Sequence, residues 1–209
     1  MKFRMTTFLG LVLCCAGVHA QSLPAPREFY FDEDPNTTRA IVAVQGEGEA
    51  VVDRLAAAVQ RRPGDAEARA QLARVAMRSG RTELGEELYR AAQRNAAGNA
   101  RLARAVTWNY AWDLYLAGQA QRALEQWQSL IGGWPSAPSW QPPTLALALW
   151  KLDRREEAVA WYAAAVRTEP QLWNDAAHFP RLLPDWREED RAVLAEVLAA
   201  WQAAPPPWP

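Results

Sequence analysis

Cysteine and histidine are almost missing from this chain: its 209 residues hold two of each. Cys14 and Cys15 both lie in a leading apolar run, so removal of that run leaves no disulfide and no thiolate metal site. The fold then has to hold by packing. Beyond residue 20 the one histidine is His178, and a His-based catalytic triad or a multi-histidine metal site is excluded on count. His178, beside Phe179 and Pro180, reads as a loop or cap residue. Long hydrophobic stretches are scarce as well, since the run from Phe8 to Val18 falls short of the roughly 20 residues of a spanning helix. Basic clusters interleaved with aromatics are lacking and the net charge is -1, so nothing recommends a nucleic-acid partner. Gly46 and Gly132-Gly133 are isolated and make no phosphate loop. No cofactor is expected.

What is present begins with MKFRMTTFLGLVLCCAGVHA. Lys2 and Arg4, an apolar run, and small residues ending at Ala20 have the layout of a cleavable secretory signal over residues 1–20. The expectation is an exported chain that starts at Gln21, is periplasmic, and keeps no membrane span. A retained anchor is one alternative. A lipid-bearing Cys14 is another, opposed by Leu13 where such signals want a small residue. Residues 21–46 are irregular and contain proline, the triplet Phe29-Tyr30-Phe31, an Asp34-Pro35-Asn36 turn and the apolar stretch Ala40 to Val44. They read as an extended arm with no partner strand, expected to lie on the surface of the helices.

From residue 47 the chain turns to Ala, Leu, Glu and Arg, good helix formers, with apolar residues at a period near 3.6. The pattern predicts helices over about 47–61, 66–79, 82–95, 101–117, 120–132, 142–152, 155–168 and 186–202. Within pairs the breaks are Ser79-Gly80-Arg81, Ala117-Gly118-Gln119 and Leu152-Asp153-Arg154, where glycine, or aspartate in its stead, can end a helix. Aligning these turns brings the second helices into register. Val51, Gly85, Ala123 and Ala158 share a small-residue position, with Leu55, Tyr89, Trp127 and Tyr162 four residues on as a large one. Ala58, Ala92, Leu130 and Ala165 follow, then Pro63, Ala97, Pro135 and Pro170. The first helices repeat Leu72-Ala73, Tyr110-Ala111 and Leu145-Ala146, followed by Ala76, Leu114 and Leu149.

This register resembles the tetratricopeptide repeat, a helix-turn-helix unit whose small residues allow close helix approach and whose large ones interlock with the next unit. The aromatic usual near the start of the first helix is replaced by Arg69, Thr107 or Pro142, and Pro142-Pro143 fits a helical first turn. The resemblance implies an all-α solenoid of about three units, at 66–97, 104–135 and 139–170, behind a leading helix. A helix over 186–202, with Val193, Leu194, Val197, Leu198 and Trp201 on one stripe, would cap its end, its start marked by Asp185. The proline-rich tail 203–209 is expected to be extended.

Eleven tryptophans are the unusual quantity. Trp127 and Trp161 fall at packing positions. Trp108, Trp112 and Tyr115 share one face of their helix, and in tetratricopeptide repeats that face lines the concave groove. Trp150 would join them from the third unit, with Asn109 from the second and Arg74, Met77 and Arg78 from the first. These eight residues are the candidate partner-binding set. A lysine, asparagine and arginine clamp for a terminal carboxylate, known in some such repeats, is matched here only by Asn109. The carboxylate pairs Glu86-Glu87 and Glu156-Glu157 sit among arginines, as solvated helix faces do, and no catalytic constellation is visible. The preferred reading is a non-enzymatic adaptor that binds a segment of another protein. A cell-wall or glycan-binding protein using its tryptophans is the alternative, with a hydrolase behind it.

Overall fold

The computed structural model describes residues 23–26, 32–132 and 137–207. The expected signal and the Phe29-Tyr30-Phe31 triplet lie outside them. Among the described residues the regular structure is helical: α1 Glu49–Arg61, α2 Ala66–Arg78, α3 Thr82–Ala96, α4 Ala100–Leu116, α5 Ala120–Gln128, α6 Gln141–Lys151, α7 Arg155–Thr168, α8 Pro170–Trp173, α9 Phe179–Leu182 and α10 Glu188–Ala203.

Local chemistry sets these boundaries. Asp65 and Asn99 cap α2 and α4, their side chains accepting from the backbone N–H of Ala68 and Leu102 at 3.0 and 3.2 Å. The three inter-helix turns share one geometry. Gly80, Gly118 and Asp153 have φ of 78°, 79° and 58°. The next residue's N–H then reaches back five residues, from Arg81 to Ala76, Gln119 to Leu114 and Arg154 to Leu149, at 2.9, 2.9 and 3.0 Å. Each turn thus satisfies carbonyls that the helix end leaves open.

Three differences from the sequence reading have local causes. α1 starts at Glu49 because Gly48 holds φ at 79°, outside the helical region. α5 stops at Gln128: the bonds of Leu130 and Ile131 tighten to i→i−3, and Gly132 turns the chain with φ 84°. α10 starts at Glu188, not after a capping Asp185, and Glu188, Glu189 and Asp190 complement the dipole of its first turn. The stretch 171–184 also holds the short α8 and α9, because Pro170 and Pro180 sit at helix starts, where a missing N–H costs nothing.

α2 packs on α3, α4 on α5 and α6 on α7, and successive pairs stack through α3 on α4 and α5 on α6. α1 packs on α2 at one end, and α10 covers α6 and α7 at the other. The repeat register explains the core. Leu55, Tyr89, Trp127 and Tyr162 are all at 0 % exposure, and Ala123 and Ala158 beneath them are fully buried too. Burying such side chains contributes roughly 25 cal/mol per Å² of apolar surface, which lets a chain without a disulfide among its helices hold together.

Candidate functional site

The first helices of the three units, α2, α4 and α6, carry the inner face. Counting by repeat register, Gln71, Asn109 and Thr144 are equivalent, each standing just before the large-small pair. Two of the three hold backbone. Gln71 Oε1 accepts from the N–H groups of Ala43 and Val44 at 2.7 and 2.8 Å, and its Nε2 donates to the Val44 carbonyl at 2.8 Å. Asn109 Oδ1 accepts from Ile41 N–H at 3.3 Å, and its Nδ2 donates to the Arg39 carbonyl at 3.0 Å and to Ala105 in its own helix at 2.8 Å. Residues 39–44 therefore cross the inner face as an irregular strap, bent at Ala43 and Val44 and gripped by two carboxamides.

The strap continues onto the third unit. Asp34, with φ 43°, closes the turn foreseen at Asp34-Pro35-Asn36, and its carbonyl accepts from Thr37 N–H at 2.9 Å. Its carboxylate is buried at 2 % exposure, where it accepts from Arg104 Nη2 at 3.0 Å, Trp140 Nε1 at 3.4 Å and Thr37 Oγ1 at 2.8 Å. Asp32 pairs in parallel with Pro138, its carbonyl accepting from Ser139 N–H at 2.8 Å. Ile41 is buried in the main core and Val44 packs on the smaller cluster of Val51, Leu55, Ala58 and Ala68. Val42 between them is 47 % exposed.

Behind the strap lies a polar knot. Buried Asp113 accepts from Tyr89 Oη at 2.5 Å, with Arg74 Nε 4.0 Å and Arg78 Nε 3.8 Å away, and Arg74 also donates a short hydrogen bond to Asn109 Oδ1. Burial holds the Asp113 carboxyl above the ordinary range, against the pull of the Tyr89 hydroxyl, Arg74 and Arg78. Burial and the Asp113 charge push the Tyr89 phenol well up. Asn109 is thus oriented by a cation anchored beneath it.

The aromatic half of the predicted groove is partly covered. Trp112 meets Trp127 and Trp186 with ring centroids 5.1 Å apart in each case, Tyr115 at 5.7 Å and Trp108 at 5.9 Å. Tyr115 is buried, and its hydroxyl donates to Asp190 Oδ1 at 3.0 Å. Burial and the Asp190 charge raise the Tyr115 phenol above its usual value. Arg187 locks Asp190 at 2.6 and 2.8 Å. The expectation of an open stripe is corrected in part: Tyr115 is buried, whereas Trp108 and Trp112 are half-buried, with Trp186 from the turn before α10 set against the Trp112 ring. Trp150, half-buried, donates to Glu196 of α10 at 2.8 Å and carries Arg155 over its ring at 3.9 Å. Met77 is also corrected. It is buried between α2 and α3 against Gly85, not on the inner face. Arg78 is exposed.

Gln71, Asp34, Arg104, Trp140, Trp186 and Asp190 were not singled out from sequence. Gln71 had a readable signal, its equivalence to Asn109. The others meet across long separations, such as the 106 residues between Asp34 and Trp140, which no local pattern encodes. Among the described residues no helix is long and apolar enough to cross a membrane, and no three His, Cys, Asp or Glu residues group as metal ligands.

Comparison with known proteins finds one relationship. Residues 45–108, spanning α1 to α3 and the first half of α4, match the family described as tetratricopeptide repeat. No curated protein and no solved structure matches the chain. The stacked helix pairs and this match make the fold an all-α tetratricopeptide-repeat solenoid and support a tetratricopeptide-repeat protein, a class whose repeats generally mediate protein–protein interaction.

Proposed function

We propose that this chain is an exported adaptor that holds a segment of a partner protein against the inner face of α2 and α4. One observation carries the reading: equivalent positions of consecutive units, Gln71 and Asn109, present carboxamides that bond non-helical peptide backbone. A carboxamide offers a donor and an acceptor together, so it can hold backbone N–H and C=O groups whatever the side chains. Arg74 supports Asn109 from below, and Arg78 adds an exposed charge beside it. The aromatic candidates Trp108, Trp112, Tyr115 and Trp150 serve the reading differently, as the packed floor under the C-terminal cap. Tyr115 is buried and Trp112 is wedged among Trp108, Trp127 and Trp186, so these rings form no free flat platform for glycan stacking.

Export rests on the leading segment, with Lys2 and Arg4 ahead of a short apolar run. The bacterial periplasm is the proposed destination. Fractionation with sequencing of the recovered N-terminus tests it: a chain starting at Gln21 in the envelope fraction is expected, and an intact Met1 in the cytosol would overturn export. For the adaptor role, a photo-crosslinking residue replaces Arg78, exposed on α2 beside the inner face, or Arg94 on α3. Adducts to a defined protein are expected from position 78 and not from 94. Equal labelling from both would sink the groove assignment.

A further inference from the structure

We propose that residues 34–44 are a ligand carried in cis, and that the segment which replaces them has an acidic side chain followed, toward its C-terminus, by an aliphatic one. The inference rests on the adaptor reading and specifies what the adaptor recognises. The strap makes two kinds of contact. The bonds from Gln71 and Asn109 reach only its backbone, so they place no demand on its side chains. Thr37 is buried against Asp34 and Val44 rests half-buried on the smaller cluster, and the two deepest side-chain anchors are Asp34 and Ile41. Asp34 enters a socket formed by Arg104 Nη2 at 3.0 Å and Trp140 Nε1 at 3.4 Å, and the Arg104 side chain is itself only 8 % exposed. A buried guanidinium strongly penalises a segment that brings no carboxylate. Ile41 enters the apolar core, while Ala40, Val42 and Ala43 around it remain exposed.

The strap is also built to leave. It adds no helix or paired strand of its own beyond the single Asp32 bridge, and Asn36, Arg39, Ala40, Val42 and Ala43 are exposed. Its C-terminal end joins α1 through exposed residues 45–48, where Gly46 and Gly48 hold φ of 105° and 79°. Such residues absorb a large backbone rearrangement at little cost. A tethered occupant faces a competitor with a local concentration on the order of millimolar, so a partner must match both sockets to displace it.

The test uses the full chain and a fluorescent synthetic peptide of sequence DEDPNTTRAIVAVQ, residues 32–45. Wild type should bind it weakly. Ile41→Asp, which removes the aliphatic anchor of the tethered copy, should bind it at least tenfold more tightly by fluorescence anisotropy. Adding Arg104→Gln to that variant, or replacing the peptide's Asp34 by Asn, should reverse the gain. A folded Ile41→Asp chain that binds no better than wild type overturns the proposal, as does indifference to both Asp34 and Arg104. Should Ile41→Asp unfold, hydrogen exchange on wild type decides: the amides of Ile41, Ala43 and Val44 are expected to exchange at least tenfold faster than those of Leu114 and Leu145. Equal rates would make the strap a permanent part of the core. Inner-face cross-links to a partner without any peptide binding would leave the adaptor standing and remove the cis ligand.

Discussion

Met77 fills the space that a side chain at Gly85 would need. A Cβ built on Gly85 would stand 2.5 Å from Met77 Cγ, 2.7 Å from Sδ and 3.0 Å from the Ala73 carbonyl. Ala123 and Ala158 hold the same place in the next two units, where Tyr115 and Trp150 stand at the register position of Met77, so the close approach of Met77 to this site belongs to the first pair. Gly85→Ala should therefore forfeit the roughly 1 kcal/mol that alanine normally gains over glycine in a helix. Overpacking should instead leave it about 1 kcal/mol less stable than wild type in urea unfolding. A double-mutant cycle with Met77→Ala should show a coupling of about 1 kcal/mol or more, and additivity would mean that the two sites are independent.

Trp112 touches both the buried Trp127 and the cap residue Trp186, so its truncation should act on stability first. We expect Trp112→Ala to cost about 2 to 3 kcal/mol and Trp127→Ala about 3 to 5. Trp186→Ala should loosen the C-terminal cap, read as faster exchange of the α10 amides with α2 and α3 unchanged. A Trp112→Ala protein with native melting behaviour would return the stripe to the binding surface.

Glu86 on α3 accepts from Arg122 on α5 through two hydrogen bonds of 2.6 Å, with Arg90 at 3.3 Å. Chiefly the Arg122 hydrogen bond holds the Glu86 carboxyl below its ordinary 4.5. A folded-state value below the unfolded one means stability that is present above about pH 4.5 and lost as pH falls through the lowered value. Glu86→Gln should be about 1 kcal/mol less stable than wild type at pH 7, a figure kept small because Arg122 is 43 % exposed. The gap should narrow as the pH falls below 4.5 and the carboxyl takes up its proton. A gap that stays constant as the pH falls would assign the effect to packing.

At the turns, Gly118 has φ 79° and open space around it, so Gly118→Ala should cost about 1 kcal/mol from backbone conformation alone. The matching Asp153 already bears that strain at φ 58°. Asp153→Gly should be neutral or stabilising by a few tenths of a kcal/mol in thermal melts. Loss of stability on that change would point to its exposed pair with Arg155, at 2.8 Å, as the stronger effect.

Helix boundaries, the repeat register and the buried large-small ladder were legible because each is written within some 35 residues: glycine at a turn, a small residue, a large one four later. The Asp34 turn was legible for the same reason. The occupant of the inner face was not. Trp112 and Tyr115 share a helical face, which periodicity reveals, yet periodicity is silent on what lies against that face. Trp186 and Asp190 arrive there from beyond a proline-interrupted stretch. Asn109 drew notice for its type and Gln71 did not, although register makes them equivalents, because an amide side chain at one position is ordinary until its neighbour repeats it.

The link between Asp34 and Trp140 spans 106 residues and runs against the order in which the chain is made. Each helix pair can close almost as soon as it emerges, since its contacts are local. The strap emerges before all of them and finds the last of its sockets only when the chain has reached Trp140, at the start of the third unit. At about 5 to 20 residues per second that delay is roughly 5 to 20 seconds. Throughout it, the acidic and aliphatic anchors are exposed on a nascent chain, and the first groove able to accept them is the one still being built behind them. The linkage therefore works as a clock: the Asp34 socket is complete only on a chain that has grown past its second repeat.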